Sequence, residues 1–354
     1  MRIKIENLGV IKQAVFSLGD LTIICGKNNT GKTYAMHAVY GFFDYLRRSP
    51  VFPVDELFIN HLYENGTAAL PLEPYVREIS KHLDRAAESF SKLLFHVFAG
   101  SEKQFEGAMI SIVPGSLGEI ALSDVDITIG SAEKGILKVT STNEKDALNI
   151  SLLVNKSKND SPPVQVARDV ISDGVGRAVL GNIAPKLFLS SAERTGAAIF
   201  QKELDFTRNR IIELIGDKSE KLHPLQLLNS FIGEYPIAVR RNVDFIRELP
   251  SIVKQESVLL KKHPELSASL ADIIGGEFRV SKGGEVQFTP SCNRRVKLEL
   301  VESSSSVRSL LDTGFYLAHI AEPGDLLMID EPELNLNPEN QRKMARLFVS
   351  LVNK

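Results

Sequence analysis

Apolar residues follow two kinds of pattern along this chain of 354 residues. Short continuous runs at residues 21–25 and 326–329 predict strands that are buried on both faces. Spacings of three and four residues predict amphipathic helices, and the clearest of these begins close behind the first run. Its apolar stripe consists of Ala35, Ala38, Val39, Phe42, Phe43 and Leu46. Both patterns recur along the chain, so they predict an α/β protein.

The interior divides by pattern into further segments. They are helices at 51–115, strands at 117–155, a helix at about 164–179 and interrupted helices at 200–274. A β-hairpin is expected after them, because strand-like residues at 278–280 and 286–288 surround the pair Gly283-Gly284.

One glycine-rich segment lies between the first run and the first helix. It fits G-x-x-x-x-G-K-[ST] and consists of Gly26, Lys27, Asn28, Asn29, Thr30, Gly31, Lys32 and Thr33. Its four fixed positions arise by chance in about 1% of chains of this length. Backbone N–H groups of such a loop face a bound phosphate, Lys32 supplies charge to the β- and γ-phosphates, and Thr33 can ligate Mg²⁺. The segment therefore predicts a P-loop.

A second segment, near the other end of the chain, completes the predicted site. The apolar run at 326–329 leads directly into Asp330 and Glu331. Asp330 would hold Mg²⁺ through its coordination shell, and Glu331 would accept a proton from the attacking water. An exposed acidic turn is the alternative, and the apolar run argues against it. Together the two segments predict ATP hydrolysis with ATP and Mg²⁺ as cofactors.

A serine cluster precedes this second run. Ser303, Ser304, Ser305 and Ser306 stand before a stripe with helical spacing, namely Val307, Leu310, Leu311, Gly314, Phe315 and Ala318. Serine is a favoured N-cap, so the cluster is expected to begin this helix. Its hydroxyls and the free N–H groups would form a second anion site. A well-capped core helix without a ligand is the alternative.

Composition narrows the class of protein. Hydrophobic residues make up 43% and charged residues 24%, as in ordinary globular proteins, and no apolar run approaches the roughly 18 residues that span a bilayer. Two cysteines provide no disulfide framework, so we expect a cytoplasmic protein in which Cys25 is buried and inert. No cysteine or histidine pattern indicates a structural metal. The net charge of −2 gives no general attraction to nucleic acid.

The order of these parts resembles the ABC-type ATPase head, and most closely its RecF/Rad50/OLD-like branch. Residues 330–338 resemble the extended Walker B motif and D-loop, and the four serines occupy the place of the signature motif. Residues 187–194 resemble the strand that leads into the Q-loop region, where Glu193 or Ser191 would replace the glutamine. Arg194 would contact phosphate or pair with Glu193. The resemblance covers about the first 45 and the last 65 residues.

This resemblance implies a P-loop ATPase head with a mixed β-sheet core and helical insertions. Its first lobe would comprise residues 1–198, with an insertion at about 51–180. A helical subdomain would follow at 199–290, and a second lobe at 291–354 would hold the serine helix and the Walker B segment. The family would next supply a strand that ends in a switch histidine, and no such strand follows in this sequence.

The resemblance also implies a mechanism and partners. Two heads would sandwich two ATP molecules, so that Ser304, Ser305 and Ser306 of one copy contact the γ-phosphate held by the other. Such a homodimer would act as a switch in phage defence, as in Septu-like and retron-associated systems. The effector would be a nuclease of the HNH type, a reverse transcriptase with its msDNA would be a further partner, and DNA is a candidate ligand.

Two alternatives remain open. An ATP-clamped scaffold or toxin inhibitor with little turnover would use the same binding residues, and a RecF-like DNA-repair ATPase would use the same chemistry. A membrane transporter is disfavoured, because the signature Leu-Ser-Gly-Gly-Gln is absent and no segment suggests coupling to a membrane partner. Substitution of Glu331 distinguishes turnover from clamping.

Overall fold

A computed structural model describes residues 1–48, 52–131, 134–153, 162–200, 235–281 and 283–354. The first part of the expected helical subdomain, residues 201–234, lies outside these ranges. The strands are β1 (Arg2–Leu8), β2 (Ile11–Ser17), β3 (Thr67–Pro71), β4 (Met109–Ile112), β5 (Asp126–Ser131), β6 (Lys134–Ser141), β7 (Ala147–Leu152), β8 (Leu187–Ser190), β9 (Gly276–Val280), β10 (Val286–Pro290), β11 (Leu298–Glu299) and β12 (Leu326–Ile329). The α-helices are α1 (Lys32–Arg48), α2 (Glu56–Asn65), α3 (Glu73–Arg77), α4 (Ile79–Ser91), α5 (Leu94–Phe98), α6 (Val164–Leu180), α7 (Ile237–Ile252), α8 (Val258–Lys262), α9 (Glu265–Ile274), α10 (Ser305–Ser309), α11 (Leu311–His319) and α12 (Pro338–Val352).

The strands of the described residues pair into four separate sheets. Three are antiparallel, with strand orders β2-β1-β4, β3-β7-β6-β5 and β11-β10-β9, and the fourth is the parallel pair β12-β8. The mixed α/β class is therefore confirmed. The expected hairpin is confirmed as well, because Phe278 lies opposite Phe288 and Val280 opposite Val286. The prediction of helices throughout 51–115 is wrong in part, since β3 and β4 lie within that segment.

The helix α1 lies in the larger of two hydrophobic cores. All six residues of its predicted apolar stripe are buried, and Phe42 and Phe43 are fully buried. Alternate residues of β1 and the inner faces of α2, α4 and α6 belong to the same core. Burial of large apolar side chains around α1 fixes the direction in which its N-terminus and the preceding loop point.

A smaller core contains helices from the second half of the chain. It contains residues of α7, α9, α11 and α12 together with the sheet β11-β10-β9. The parallel pair lies between the two cores, because Leu326 and Met328 pack against the larger core and Leu327 packs against the smaller one. The carboxyl ends of β8 and β12 consequently meet where the two cores adjoin.

The prediction of a buried strand at residues 21–25 is wrong. The segment pairs with no strand among the described residues, and its apolar side chains are exposed, with Ile23 at 77%. Cys25 is exposed too, contrary to expectation. An apolar run indicates burial only where neighbouring strands enclose it, and within the described part of the chain no strand lies beside this segment.

The serine-led helix is present but is divided in two. Leu310 separates α10 from α11, with φ −98° and ψ −3°, outside the usual helical values. Val307, Leu310, Leu311 and Phe315 are all buried, as their spacing predicted. Across the described residues, every helix is too short or too polar to cross a membrane.

Candidate functional site

The P-loop joins residues 21–25 to α1 and passes close to the turn between β1 and β2. Gly31 has φ +93°, in the region that favours glycine, and a Cβ atom there would lie 2.6 Å from Cγ1 of Ile11. Asn29 also has positive φ, at 63°. The helix α1 begins at Lys32, so the backbone N–H groups of its first turn have no partner within the helix and lie at the end of the P-loop.

The Lys32 side chain folds back across the loop. Its Nζ donates to the carbonyl oxygen of Gly26 at 3.0 Å and to that of Lys27 at 2.9 Å. The Thr30 hydroxyl donates to the Lys27 oxygen at 2.8 Å, so the same carbonyl fixes two side chains. The ammonium group is thus held against the P-loop backbone. This group and the free N–H groups that begin α1 would both attract a bound phosphate.

Thr33 and Asp330 are in direct contact. The Thr33 hydroxyl donates to Oδ2 of Asp330 at 2.9 Å, although the residues are 297 positions apart in the chain. Asp330 follows β12, its N–H donates to the carbonyl of Ser190 at 2.9 Å, and it is 9% exposed. A hydroxyl beside a carboxylate at the N-terminus of a P-loop helix is the pair of oxygen ligands that fits Mg²⁺.

Glu331 lies beside this pair in a turn. Its side chain is exposed, whereas its backbone has φ +48°, in the left-handed region. The carbonyl of Glu331 accepts hydrogen bonds from the N–H of Leu334 at 3.0 Å and from Nη2 of Arg194 at 2.8 Å. If Thr33 and Asp330 held Mg²⁺, an exposed carboxylate next to them would be placed to accept a proton from water at a bound γ-phosphate.

The Arg194 side chain bonds to the backbone and does not pair with Glu193 among the described residues, and the predicted contact with phosphate stays a prediction. Arg194 is 3% exposed, and its four hydrogen bonds go to the backbone carbonyls of Ser191, Ser309, Asp330 and Glu331. Glu193 is exposed and forms no ion pair with it among the described residues. These contacts do not test whether Glu193 or Ser191 takes the place of a Q-loop glutamine, so that role stays a prediction.

The serines lie at the start of α10. The Ser304 hydroxyl accepts from the N–H of Val307 at 3.3 Å, as expected of an N-cap, and lies 2.8 Å from the Ser306 hydroxyl. Ser305 is exposed, whereas Ser303 is buried and donates to the Glu299 carbonyl at 2.9 Å. Ser304 and Ser305 therefore face solvent, while Ser303 supports the loop.

Three polar residues near the site were missed from sequence. His37 lies one turn after Thr33 on α1, and burial lowers the pKa of its imidazole, while the charges of Asp330 and Glu193 act in the opposite direction. Burial also raises the pKa of the Asp312 carboxyl against the effect of Arg194. Asn242, on α7, bonds to the backbone of β8. Helical spacing from Thr33 could have indicated His37, and no comparable signal existed for the others.

Comparison with known proteins gives one match. The profile of the AAA_15 family, described as an AAA ATPase domain, matches residues 1–105, which include the P-loop and α1. None of the curated proteins matches the chain, and none of the solved structures does. The match and the loop geometry agree that the first part of the chain is similar to an AAA ATPase domain, a kind of domain that binds and hydrolyses ATP with Mg²⁺.

Proposed function

We propose that the chain is an ABC-type ATPase that dimerises around ATP and thereby controls an effector. The hydrogen bond between Thr33 and Asp330 carries the proposal, because it joins the P-loop helix to the strand end that precedes Glu331. The family match ends at residue 105, so this contact is the main support for assigning the second half of the chain to the same site.

Each residue has a part in the proposed reaction. Lys32 and the N–H groups at the start of α1 bind and orient the triphosphate, and Thr33 and Asp330 hold the metal ion. Mg²⁺, when bound, offsets charge on the phosphate oxygens. Glu331 accepts the proton of the attacking water. Ser304, Ser305 and Ser306 of a second copy cover the γ-phosphate from the other side, so that hydrolysis weakens the dimer.

The effector follows from the resemblance noted in the sequence. We propose a nuclease of the HNH type that acts in phage defence when the dimer changes state, with a reverse transcriptase and its msDNA or DNA itself as further ligands. Purification of the chain with the products of its neighbouring genes would test this part. A repair complex without a nuclease would favour the RecF-like alternative.

Substitution of two site residues tests the chemistry. Glu331→Gln should retain ATP binding and lose about 10²- to 10⁴-fold in kcat, the usual contribution of a general base. Lys32→Ala should lose ATP binding itself. Phosphate release and equilibrium binding of ATP measure these effects, and Glu339→Gln, in the first turn of α12, serves as the control with wild-type values.

Each deviation has a distinct meaning. Normal ATP binding by Lys32→Ala would contradict the proposed site. A wild-type protein that binds ATP but turns it over no faster than Glu331→Gln would support the ATP-clamped scaffold instead.

A further inference from the structure

Arg194 is the centre of a buried polar cluster behind the proposed site. Its Nε donates to the carbonyl of Ser309, Nη1 donates to those of Ser191 and Asp330, and Nη2 donates to that of Glu331. All four distances lie between 2.7 and 2.8 Å, and the residue is 3% exposed. Charge-assisted hydrogen bonds of this length are among the stronger ones in proteins.

These bonds join three segments that are distant in sequence. Ser191 follows β8, Asp330 and Glu331 follow β12, and Ser309 is the last residue of the serine helix α10. Asp312, which is 2% exposed at the start of α11, lies close enough for the charge of Arg194 to act against the rise that burial causes in the pKa of its carboxyl. A buried guanidinium is tolerated only where hydrogen-bond acceptors surround it, and four backbone carbonyls do so here.

The backbone of Glu331 needs such support. A residue other than glycine in the left-handed region is less stable by about 1–2 kcal/mol, and φ is +48° here. Such conformations persist where surrounding contacts hold them. Nη2 of Arg194 binds the carbonyl of this very residue, so the guanidinium helps to set the direction in which the Glu331 carboxylate leaves the turn.

We propose that Arg194 is a positioning residue that links the serine helix α10 to the orientation of the Glu331 carboxylate. The inference rests on the proposed ATPase function, in which Glu331 activates water and α10 contacts the nucleotide of a second copy. A displacement of α10 on contact with that nucleotide moves the Ser309 carbonyl, and the planar guanidinium transmits the displacement to the turn after β12.

Lysine cannot replace this arginine. Its ammonium group carries three donors at one point, whereas the guanidinium holds five N–H groups in a rigid plane. Arg194→Lys therefore keeps the positive charge beside Asp312 but cannot reach all four carbonyls. The expected result is a misplaced Glu331 with an intact P-loop.

The experiment compares ATP affinity and turnover in Arg194→Lys, Glu331→Gln and the double variant. We expect Arg194→Lys to bind ATP within about threefold of the wild type while kcat falls about 10- to 100-fold, as small misplacements of reacting groups do. In the Glu331→Gln background, Arg194→Lys should cause no further loss of kcat, because both changes act on one group. Arg241→Lys, a half-buried arginine that bonds to Asp44 near the other end of α1, is the matched control and should keep wild-type turnover.

Several results would overturn the inference. Wild-type kcat in Arg194→Lys, an equal loss of ATP affinity and turnover, or a full additional loss in the double variant would each contradict a positioning role. If Arg194→Lys does not fold, Arg194→Gln replaces it, since its planar amide has two N–H donors and also cannot reach all four carbonyls, and unchanged kcat in that variant contradicts the inference. Failure of the underlying function is recognised separately, since then the wild type hydrolyses no ATP or Glu331→Gln has no effect.

Discussion

Gly31 sets the approach of the P-loop to the β1–β2 turn. Its φ of +93° favours glycine, and a Cβ atom would lie 2.6 Å from Cγ1 of Ile11 and 3.2 Å from Cγ2 of Val10. A side chain at this position therefore meets both backbone strain and a steric clash. Either the side chains of Ile11 and Val10 or the loop itself must shift to avoid the clash, and a shifted loop changes the positions of Lys32 and Thr33.

We predict that Gly31→Ala weakens ATP binding at least about tenfold, equivalent to about 1.4 kcal/mol, and that Ile11→Ala in the same chain restores part of the loss. Equilibrium binding of ATP measures the effect. Gly66→Ala is the matched control, because Gly66 also has positive φ, +79°, but a Cβ atom there meets nothing within 4 Å. That control should lose stability and keep its ATP affinity. Equal affinity in all variants would show that the loop position is not critical.

Single residues of the site differ in how far sequence could identify them. Lys32, Thr33 and Asp330 belong to patterns whose spacing is fixed by the chemistry of phosphate and Mg²⁺, and the structure brings Thr33 and Asp330 together. The bonds of Arg194 could not be predicted, because its acceptors are backbone carbonyls of three separate segments. Backbone acceptors leave no trace in the choice of side chain, so only tertiary structure reveals them.

At the scale of elements, Asn242 takes the place of a neighbouring strand at one edge of β8. Its side-chain amide donates to the Leu189 carbonyl at 2.8 Å, and its amide oxygen accepts from the Ser191 N–H at 3.0 Å. The side chain is almost fully buried, at 1% exposure, so water cannot replace these bonds. The amide thus satisfies backbone groups that a further strand would otherwise pair with.

We predict that Asn242→Ala lowers the free energy of unfolding by about 1–3 kcal/mol for each backbone group left unpaired. Urea denaturation measures the loss. Asn65→Ala, at an exposed asparagine at the end of α2, is the control and should change stability by no more than about 0.5 kcal/mol. Wild-type stability of Asn242→Ala would mean that the edge of β8 finds another partner.

Secondary-structure prediction succeeded where the signal was local, as in an apolar helix stripe. It failed where a strand needed a distant segment to pair with. The stripe of α1 and the β9–β10 hairpin match their sequence patterns, because side-chain spacing in the helix and a glycine turn between adjacent strands are local signals. Residues 21–25 have an equally apolar pattern but no strand beside them among the described residues. Pairing depends on distant segments, so the local pattern could not decide it. The break at Leu310 likewise has no proline or glycine to indicate it.

At the scale of the whole molecule, the proposed dimer depends on the contact between the exposed serines of one copy and the nucleotide that the P-loop of the other copy binds. We predict that Glu331→Gln with ATP and Mg²⁺ elutes at twice the 39.1 kDa of the single chain, and that adding Ser305→Asp keeps it at the single-chain mass. The new carboxylate would repel the γ-phosphate of the other copy. ATP affinity of the single chain should stay within about threefold of the parent, a change of less than about 0.7 kcal/mol in binding free energy.

Ser267→Asp provides the matched control, because Ser267 is an exposed serine on α9. It should dimerise like its parent. Dimerisation of the Ser305→Asp variant would remove the serine helix from the proposed interface, and a loss of ATP binding by that variant would place its effect within one copy instead of between two.

The contact between Thr33 and Asp330 spans the seam between the two hydrophobic cores. Thr33 belongs to the helix at the heart of the larger core, and the backbone of Asp330 is tied through Arg194 to α10, whose Val307 lies in the smaller one. A divalent ion that replaced this hydrogen bond would join the two cores through stronger bonds. Bound magnesium nucleotide should therefore restrict the motion of one core relative to the other, and its release should allow the two cores to shift.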